Sequence, residues 1–94
     1  MLTQNSTKGD IQKVALQMIM KQYDRFTEQD IFDLVISQFE EEVDENFVFK
    51  VVSKTIEYCK REIHLTDIID GAYVINPERR ELINAFLSHE GVTV

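Results

Sequence analysis

Three cations recur on one side of a helix that the sequence predicts over residues 44–62. At about 100° per residue, Lys50, Lys54 and Arg61 fall within about 40° of one another. The opposite side is apolar and consists of Val48, Val52, Thr55, Ile56, Cys59 and Ile63. Cations at this spacing can contact the phosphates of a nucleic acid. They equally suit an ordinary solvated face, because Glu57 stands at helical pairing distance from Lys54 and Arg61.

The sign of this basic stripe is unusual in a chain whose formal net charge is −7. Residues 24–45 hold nine acids and one base, a local sum of −8, whereas residues 46–61 hold four bases and one acid, a local sum of +3. Exposed charges farther apart than about 10 Å are largely screened at physiological salt. A local basic patch can therefore act in spite of the overall charge, although that charge slows association with any polyanion.

No motif indicates enzymatic or metal chemistry. The chain has no glycine-rich phosphate loop, no nucleophile paired with a histidine and no metal-ligand spacing, and His64 and His89 stand alone. The carboxylates of residues 40–45 lack the glycine and the alternating spacing of a calcium loop. Cys59 is the single cysteine, and its place on the apolar face predicts a buried thiol. We therefore expect neither an enzyme nor a cofactor or metal site.

Length and composition predict one small domain. Ninety-four residues with 44% hydrophobic content can build a single core. Residues 1–9 are polar and end in a glycine, so we expect a mobile tail ahead of a domain over residues 10–94. The chain shows no signal peptide and no apolar run of about 20 residues, which predicts a cytoplasmic protein without membrane contact.

Apolar residues at three- and four-residue spacing predict two helices ahead of the basic one. The first covers about 10–23 and has Asp10 as its cap. The second begins after Thr27, which forms an approximate capping box with Asp30, and it runs to about Phe39. The residues that this second helix is expected to bury are Ile31, Leu34, Val35 and Phe39.

Residues 63–76 change from a helical period to an alternating one, which predicts two strands. Asp70-Gly71 lies between β-prone residues and predicts a type I′ turn, because that turn needs positive φ at both central positions. A two-residue turn of this kind places Ile68 opposite Tyr73. A hairpin alone is only marginally stable in water, so we expect one of its faces to pack on the helices.

A fourth helix is predicted to follow, with Asn76 as its cap and Pro77 as its first residue. Its apolar residues are Leu82, Ile83, Phe86 and Leu87. Three or four phosphate contacts give weak binding for a monomer, so a DNA-binding form is expected to be a homodimer. These four apolar residues are the candidate dimer contact, although packing of the helix on its own core explains them equally well.

The predicted chain is mainly α with a β-hairpin, in the order α-α-α-β-β-α, and it resembles the winged helix-turn-helix domain of bacterial regulators. The segment most similar to that family is residues 72–87, within which Tyr73–Leu82 forms a strand with a tyrosine that leads into a capped, charged helix, as in MarR-like and PadR-like repressors. The resemblance implies that the third helix lies in the DNA major groove. The DNA contacts that it implies are Lys50, Ser53, Lys54, Tyr58 and Arg61.

Two features depart from that family and support a second interpretation. The hairpin carries Asp67 and Asp70 where wings of DNA-binding members have Lys or Arg, and the segment from Glu40 to Glu45 is long and acidic. We therefore expect one of two functions. The first is a small transcriptional regulator that binds double-stranded DNA through the helix over 44–62. The alternative is an acidic winged-helix adaptor that binds a basic protein partner without DNA contact.

Overall fold

The structure is a computed structural model that describes residues 2–89, and their side chains as far as residue 85. It is mainly helical and contains one antiparallel hairpin in its described part, in the predicted order. The elements are α1 (Lys8–Met20), α2 (Glu28–Ile36), α3 (Glu45–Arg61), β1 (Thr66–Ile69), β2 (Ala72–Ile75) and α4 (Pro77–His89). Within this part of the chain, no helix has the length and apolar character that crossing a bilayer requires.

The core lies between α1, α2 and α3. The side chains that these three helices bury in it include Ile11, Ala15, Ile19, Ile31, Val35, Val48, Val52, Ile56 and Cys59. The predicted apolar face of α3 is confirmed at five of its six positions, Ile63 being only partly buried, and Val51 joins the face at 3% exposure. Each fully buried Ile or Val side chain stabilises the fold by roughly 1.5–3 kcal/mol, so this face fixes how α3 is rotated about its axis.

The first helix begins earlier than predicted. Thr7 is the N-cap: its hydroxyl accepts a hydrogen bond from the Asp10 N–H at 3.2 Å, and the Asp10 carboxylate accepts one from the Thr7 N–H at 2.9 Å. These bonds hold the pKa of Asp10 below its usual value. The predicted helix over 10–23 was therefore wrong at both ends, since α1 also stops at Met20 and leaves Tyr23 83% exposed.

The first few residues are not a free tail. Leu2 is 3% exposed, and its N–H donates to the Gln38 carbonyl oxygen at 3.2 Å in a short parallel bridge beside Phe39. Gln4 is also held, because its side-chain amide donates to the Glu42 carbonyl oxygen at 3.0 Å. The prediction of a mobile tail over residues 1–9 did not anticipate these contacts, in which a single apolar side chain joins the core.

The second helix begins as predicted and ends early. Thr27 and Asp30 form the capping box in both directions. Burial of Ile31 and Val35 is confirmed, but the helix stops at Ile36. Leu34 is 38% exposed and Phe39 is only half-buried beyond the helix end. The prediction for Leu34 was wrong, because this residue lies on the exposed side of α2, whereas Phe39 packs against the core without being fully buried.

The hairpin has the predicted register. Ile68 pairs with Tyr73, and both turn residues have positive φ, 52° at Asp70 and 79° at Gly71. Tyr73 also pairs with Phe26 in a one-residue antiparallel bridge, with N–H···O distances of 3.0 and 2.8 Å. The two rings stack with their centroids 5.7 Å apart. The hairpin is thereby fixed to the segment between α1 and α2.

The last helix is capped and anchored at its start. Oδ1 of Asn76 accepts hydrogen bonds from the N–H groups of Glu78 and Arg79, at 3.0 and 3.4 Å, as the cap prediction requires. The Arg80 guanidinium donates to the Gln22 carbonyl oxygen and lies over the Tyr23 ring, 4.1 Å from its centroid. The start of α4 is therefore bound to the segment that follows α1.

Candidate nucleic-acid interface

Lys50 and Lys54 lie one helical turn apart on the exposed side of α3. The helix start is fixed by Asp44, whose Oδ1 accepts hydrogen bonds from the N–H groups of Asn46 and Phe47 at 3.1 and 3.3 Å. Within the residues that the structure describes, neither lysine has a carboxylate oxygen within 4.0 Å. Both ammonium groups are thus open to an anion outside the chain.

Arg61, the third member of the basic stripe, is paired. Its Nη2 lies 3.3 Å from Oε1 of Glu57, one turn earlier, and the two side chains are 72% and 56% exposed. An exposed pair at this spacing contributes about 0.3–0.5 kcal/mol. A phosphate can therefore displace Glu57 at small cost, but Arg61 is less available than the two lysines.

Ser53 faces a carboxylate instead of open solvent. Its hydroxyl donates to Oε1 of Glu28 at 3.1 Å, and the hydroxyl of Tyr73 donates to the same oxygen at 3.4 Å. Burial, and then the charges of Glu28 and Glu57, raise the pKa of Tyr73. We call Glu28 and Glu57, together around Tyr73, the carboxylate cluster. A DNA base edge would have to displace Glu28 to reach Ser53.

Tyr58 is 54% exposed and lies on the side of α3 that faces α1. There a groove of about 510 Å³ is lined by residues that include Lys13, Leu16, Lys54, Tyr58 and Cys59. Past Lys54 it continues into a hollow of about 310 Å³, whose lining includes Lys8, Phe47, Lys50 and Val51. We call the two together the α1–α3 groove.

Lys8 and Lys13 are candidate binding residues that the sequence analysis missed. Both line the α1–α3 groove, which therefore receives four lysines, two from each helix. Asp44 lines it too, but its carboxylate caps α3. The sequence did contain a signal, because α1 holds two lysines and one acid while α2 holds no base at all.

The thiol of Cys59 lies beneath this groove and is chemically quiet. The residue is fully buried, and burial raises the pKa of the thiol from 9.0 to about 12. The thiol is therefore neutral at physiological pH, and the thiolate is the form that attacks electrophiles and binds metals. Cys59 contributes packing to the core as an apolar side chain does.

The hairpin adds acids to the neighbourhood of α3 and no base. Asp67 accepts a hydrogen bond from the N–H of Ile68 at 2.8 Å. Asp70 lies 3.4 Å from Nη2 of Arg25, in a pair whose side chains are 78% and 58% exposed. A pair this exposed is weak, so the charge of Asp70 remains accessible to anything that approaches the turn.

The four candidate dimer residues do not share one environment. Leu82 is 60% exposed, so packing on its own core does not account for it, whereas Ile83 is half-buried and packs against the core. The side chains of Phe86 and Leu87 lie outside the described residues. Of the candidate dimer residues with described side chains, Leu82 is thus the one that is exposed and can contact a partner.

The acidic segment of residues 40–45 borders an open hollow of about 600 Å³. Its apolar lining consists of the half-buried Ile36, Phe39 and Val43. Among the residues with described positions, no three His, Cys, Asp or Glu side chains are grouped closely enough to hold a metal ion. The segment therefore offers charge and a little apolar surface.

Similarity to known proteins adds nothing to this geometry. A scan against protein-family models and searches of curated proteins and of solved structures each find no match to the chain. The function proposed below therefore depends on the surface of α3 and the elements beside it.

Proposed function

We propose that this chain is a small winged-helix protein that binds double-stranded DNA through α3, as a homodimer, and regulates transcription. The observation that carries the proposal is the exposure of Lys50 and Lys54, one turn apart, with no carboxylate oxygen within 4.0 Å in the described part of the chain. A phosphate that reaches either lysine breaks no ion pair. Its approach therefore costs little beyond the ordering of two side chains.

The topology supports the winged-helix part of the proposal. Two consecutive helices, α2 and α3, precede the hairpin, and the bridge between Phe26 and Tyr73 adds a one-residue third strand to it. In helix-turn-helix proteins the second helix of the pair lies in the major groove. Here that helix is α3, and its outward side carries the basic stripe.

The expected strength of binding follows from the number of cations. Three phosphates neutralised by Lys50, Lys54 and Arg61 predict a slope of about −3 in log affinity against log salt for each protomer. A dimer with its two α3 helices about 34 Å apart would reach two successive turns of the major groove. Leu82 of α4, 60% exposed, is one of the exposed apolar residues that such a dimer can bury.

Reversing the charge of the two lysines tests this proposal. We expect Lys50→Glu/Lys54→Glu to lose retention on a random-duplex column at low salt, because two phosphate contacts become repulsions. The matched control is Lys21→Glu/Arg79→Glu, which makes the same change in net charge at exposed positions outside the stripe and the groove. The control should be retained. An unretained wild-type protein, or equal loss in the two variants, would rule out this interface.

An adaptor without DNA contact is the second candidate, and the hydrogen bond from Ser53 to Glu28 favours it. That bond places a carboxylate where the resemblance implied a base contact, and Glu57 holds Arg61 in the same way. In this form the acidic segment of residues 40–45 would bind a basic protein partner. Glu40→Lys/Glu42→Lys should then weaken capture of that partner, whereas in a DNA-binding protein it should leave duplex retention unchanged or improve it.

A further inference from the structure

The α1–α3 groove has apolar side chains along its base, which we call the floor, and lysines along both edges, which we call the rims. Each property alone is common on protein surfaces, but a contiguous apolar surface bordered by charge marks a site of protein contact. We infer that the groove is a docking site for an acidic amphipathic helix of a partner protein. The inference does not depend on DNA binding, because Lys8, Lys13 and Leu16 of α1 belong to the groove and are not proposed DNA contacts, although Lys50, Lys54 and Tyr58 belong to both surfaces.

The floor offers rings and methyl groups that are not fully covered. Tyr58 is 54% exposed and Phe47 is 37% exposed, and Leu16 is half-buried between them and the core. Buried Cys59 and Val51 lie at the base of the groove. Covering aromatic surface of this kind is a main source of affinity at protein interfaces. A nucleic-acid backbone presents mainly charged phosphates and little apolar surface, so the floor favours a protein side chain.

The lysines on the rims determine which charge a partner should carry. Lys8 and Lys13 stand on the α1 side, and Lys50 and Lys54 stand on the α3 side, all four exposed. The remaining charged lining residue is Asp44, whose carboxylate is held by its capping bonds. In a chain of net charge −7, four lysines around one groove select for an acidic ligand.

The dimensions fit a short helix. From Phe47 to Tyr58 the α3 side of the groove advances 11 residues (58 − 47), which is about 16 Å, or three helical turns. A helix of that length, with apolar residues at i, i+3 or i+4, and i+7, lays one face on the floor. Its flanking Asp or Glu side chains then reach the lysines on either rim.

Binding of a designed peptide tests the inference directly. The probe is a fluorescent amphipathic peptide of about 15 residues, with leucines on one face and glutamates on its flanks, and its partner probe has lysine in place of each glutamate. We expect the acidic peptide to bind the wild-type chain, as measured by fluorescence anisotropy, and the basic peptide to bind much less. High salt should weaken the acidic complex without abolishing it, because the apolar contact persists.

Variants locate the binding. Lys13→Glu reverses a charge on the rim, and Leu16→Ala removes part of the floor. Each substitution should weaken binding of the acidic peptide by about fivefold or more. Arg79→Glu makes the same charge change as Lys13→Glu on exposed surface away from the groove and should have no effect beyond the shared change in net charge. Circular dichroism checks that each variant is folded.

Three results would overturn the inference. The first is equal binding of the two peptides, and the second is a Kd that Lys13→Glu and Leu16→Ala leave unchanged. The third is sedimentation showing that wild-type chains self-associate through this groove, with Lys13→Glu dissociating them, because the occupant would then be a second copy. Neither Lys13 nor Leu16 is a proposed DNA contact. Duplex retention of these variants therefore reports on the DNA proposal separately. If neither peptide binds, which is a case of the first result, loss of duplex binding in these variants would make the groove a nucleic-acid surface.

Discussion

The two sides of α3 show how much a helix surface depends on its neighbours. Toward α1, Lys54 lines the groove together with Lys13, and it has no carboxylate oxygen within 4.0 Å among the described residues. Toward α2 and the hairpin, Glu28 accepts a hydrogen bond from the hydroxyl of Ser53. There Glu57 also forms an ion pair with Arg61. Both sides belong to one amphipathic helix, and the basic stripe runs between them. A charge pattern on a single helix therefore predicts which residues face outward, while their neighbours decide which of them are free: Glu28 on α2 in the case of Ser53, and Glu57 on α3 itself in the case of Arg61.

The largest expected effect on stability comes from removing the ring of Phe26, which anchors the hairpin. Phe26 is 1% exposed and stacks on Tyr73, so Phe26→Ala should lower the free energy of unfolding by about 3–5 kcal/mol. Urea denaturation measures the loss. The matched control is Phe49→Ala, which removes an edge contact with Phe32 from a ring that is 36% exposed and should cost about 1 kcal/mol. Similar losses in the two variants would mean that docking of the hairpin contributes little.

A second substitution, with a smaller expected effect, tests the carboxylate cluster through the pKa of Tyr73. Burial raises the pKa of Tyr73 and Glu28 raises it further, so Glu28→Gln should lower that pKa toward the ordinary tyrosine value of 10.0. Ultraviolet titration can follow Tyr73 alone in a Tyr23→Phe/Tyr58→Phe background, since the chain has three tyrosines. Glu40→Gln, far from the cluster, is the control. An unchanged titration would show that Glu28 does not act on the Tyr73 hydroxyl in solution.

The hydroxyl of Tyr73 also makes the stability of the fold depend on pH. The folded pKa of Tyr73 lies above the unfolded value, so folding favours the neutral phenol. Its contribution to stability is therefore complete below the unfolded pKa and is lost as pH rises through the folded one. The Cys59 thiol acts in the same direction between its ordinary value of 9.0 and about 12. Both groups make the fold less stable in strong alkali.

The smallest effect is expected at the exposed pair on the basic stripe. Glu57→Gln should lower stability by only about 0.3–0.5 kcal/mol, because the pair with Arg61 is open to water. In the DNA-binding proposal, the same change should strengthen duplex binding, since Arg61 is released and a negative charge is lost. A salt titration of duplex affinity measures this gain. Weaker duplex binding in Glu57→Gln would contradict the placement of Arg61 at the interface.

Local signals predicted much of the fold. The Asp44 cap, the capping box at Thr27 and the register of the hairpin all follow from a few adjacent residues. The sequence analysis places the cap of α1 at Asp10, whereas the structure has it at Thr7, although Thr7 and Asp10 have the same spacing as Thr27 and Asp30. Burial of Leu2 could not be predicted, since one apolar residue in a polar stretch has no period.

The candidate site was predictable only in part, for a similar reason. The helical period placed Lys50 and Lys54 on the outward side of α3, where the structure has them. The bond between Ser53 and Glu28 joins residues 25 positions apart, and it depends on how α2 packs across α3. The lysines of α1 join the groove for the same tertiary reason. No pattern within one helix contains that information.

The bridge between Phe26 and Tyr73 has a consequence for the kinetics of folding. It joins positions 47 residues apart (73 − 26), whereas each helix is held by bonds between residues four apart. Non-local pairs require closure of a long loop before they return any energy, so they form late and slow the folding reaction. We therefore expect the individual helices to form first, and the packing of α1 on α3, which is also non-local, to come later. The strand pairing at Tyr73 should then complete the native structure close to the rate-limiting barrier.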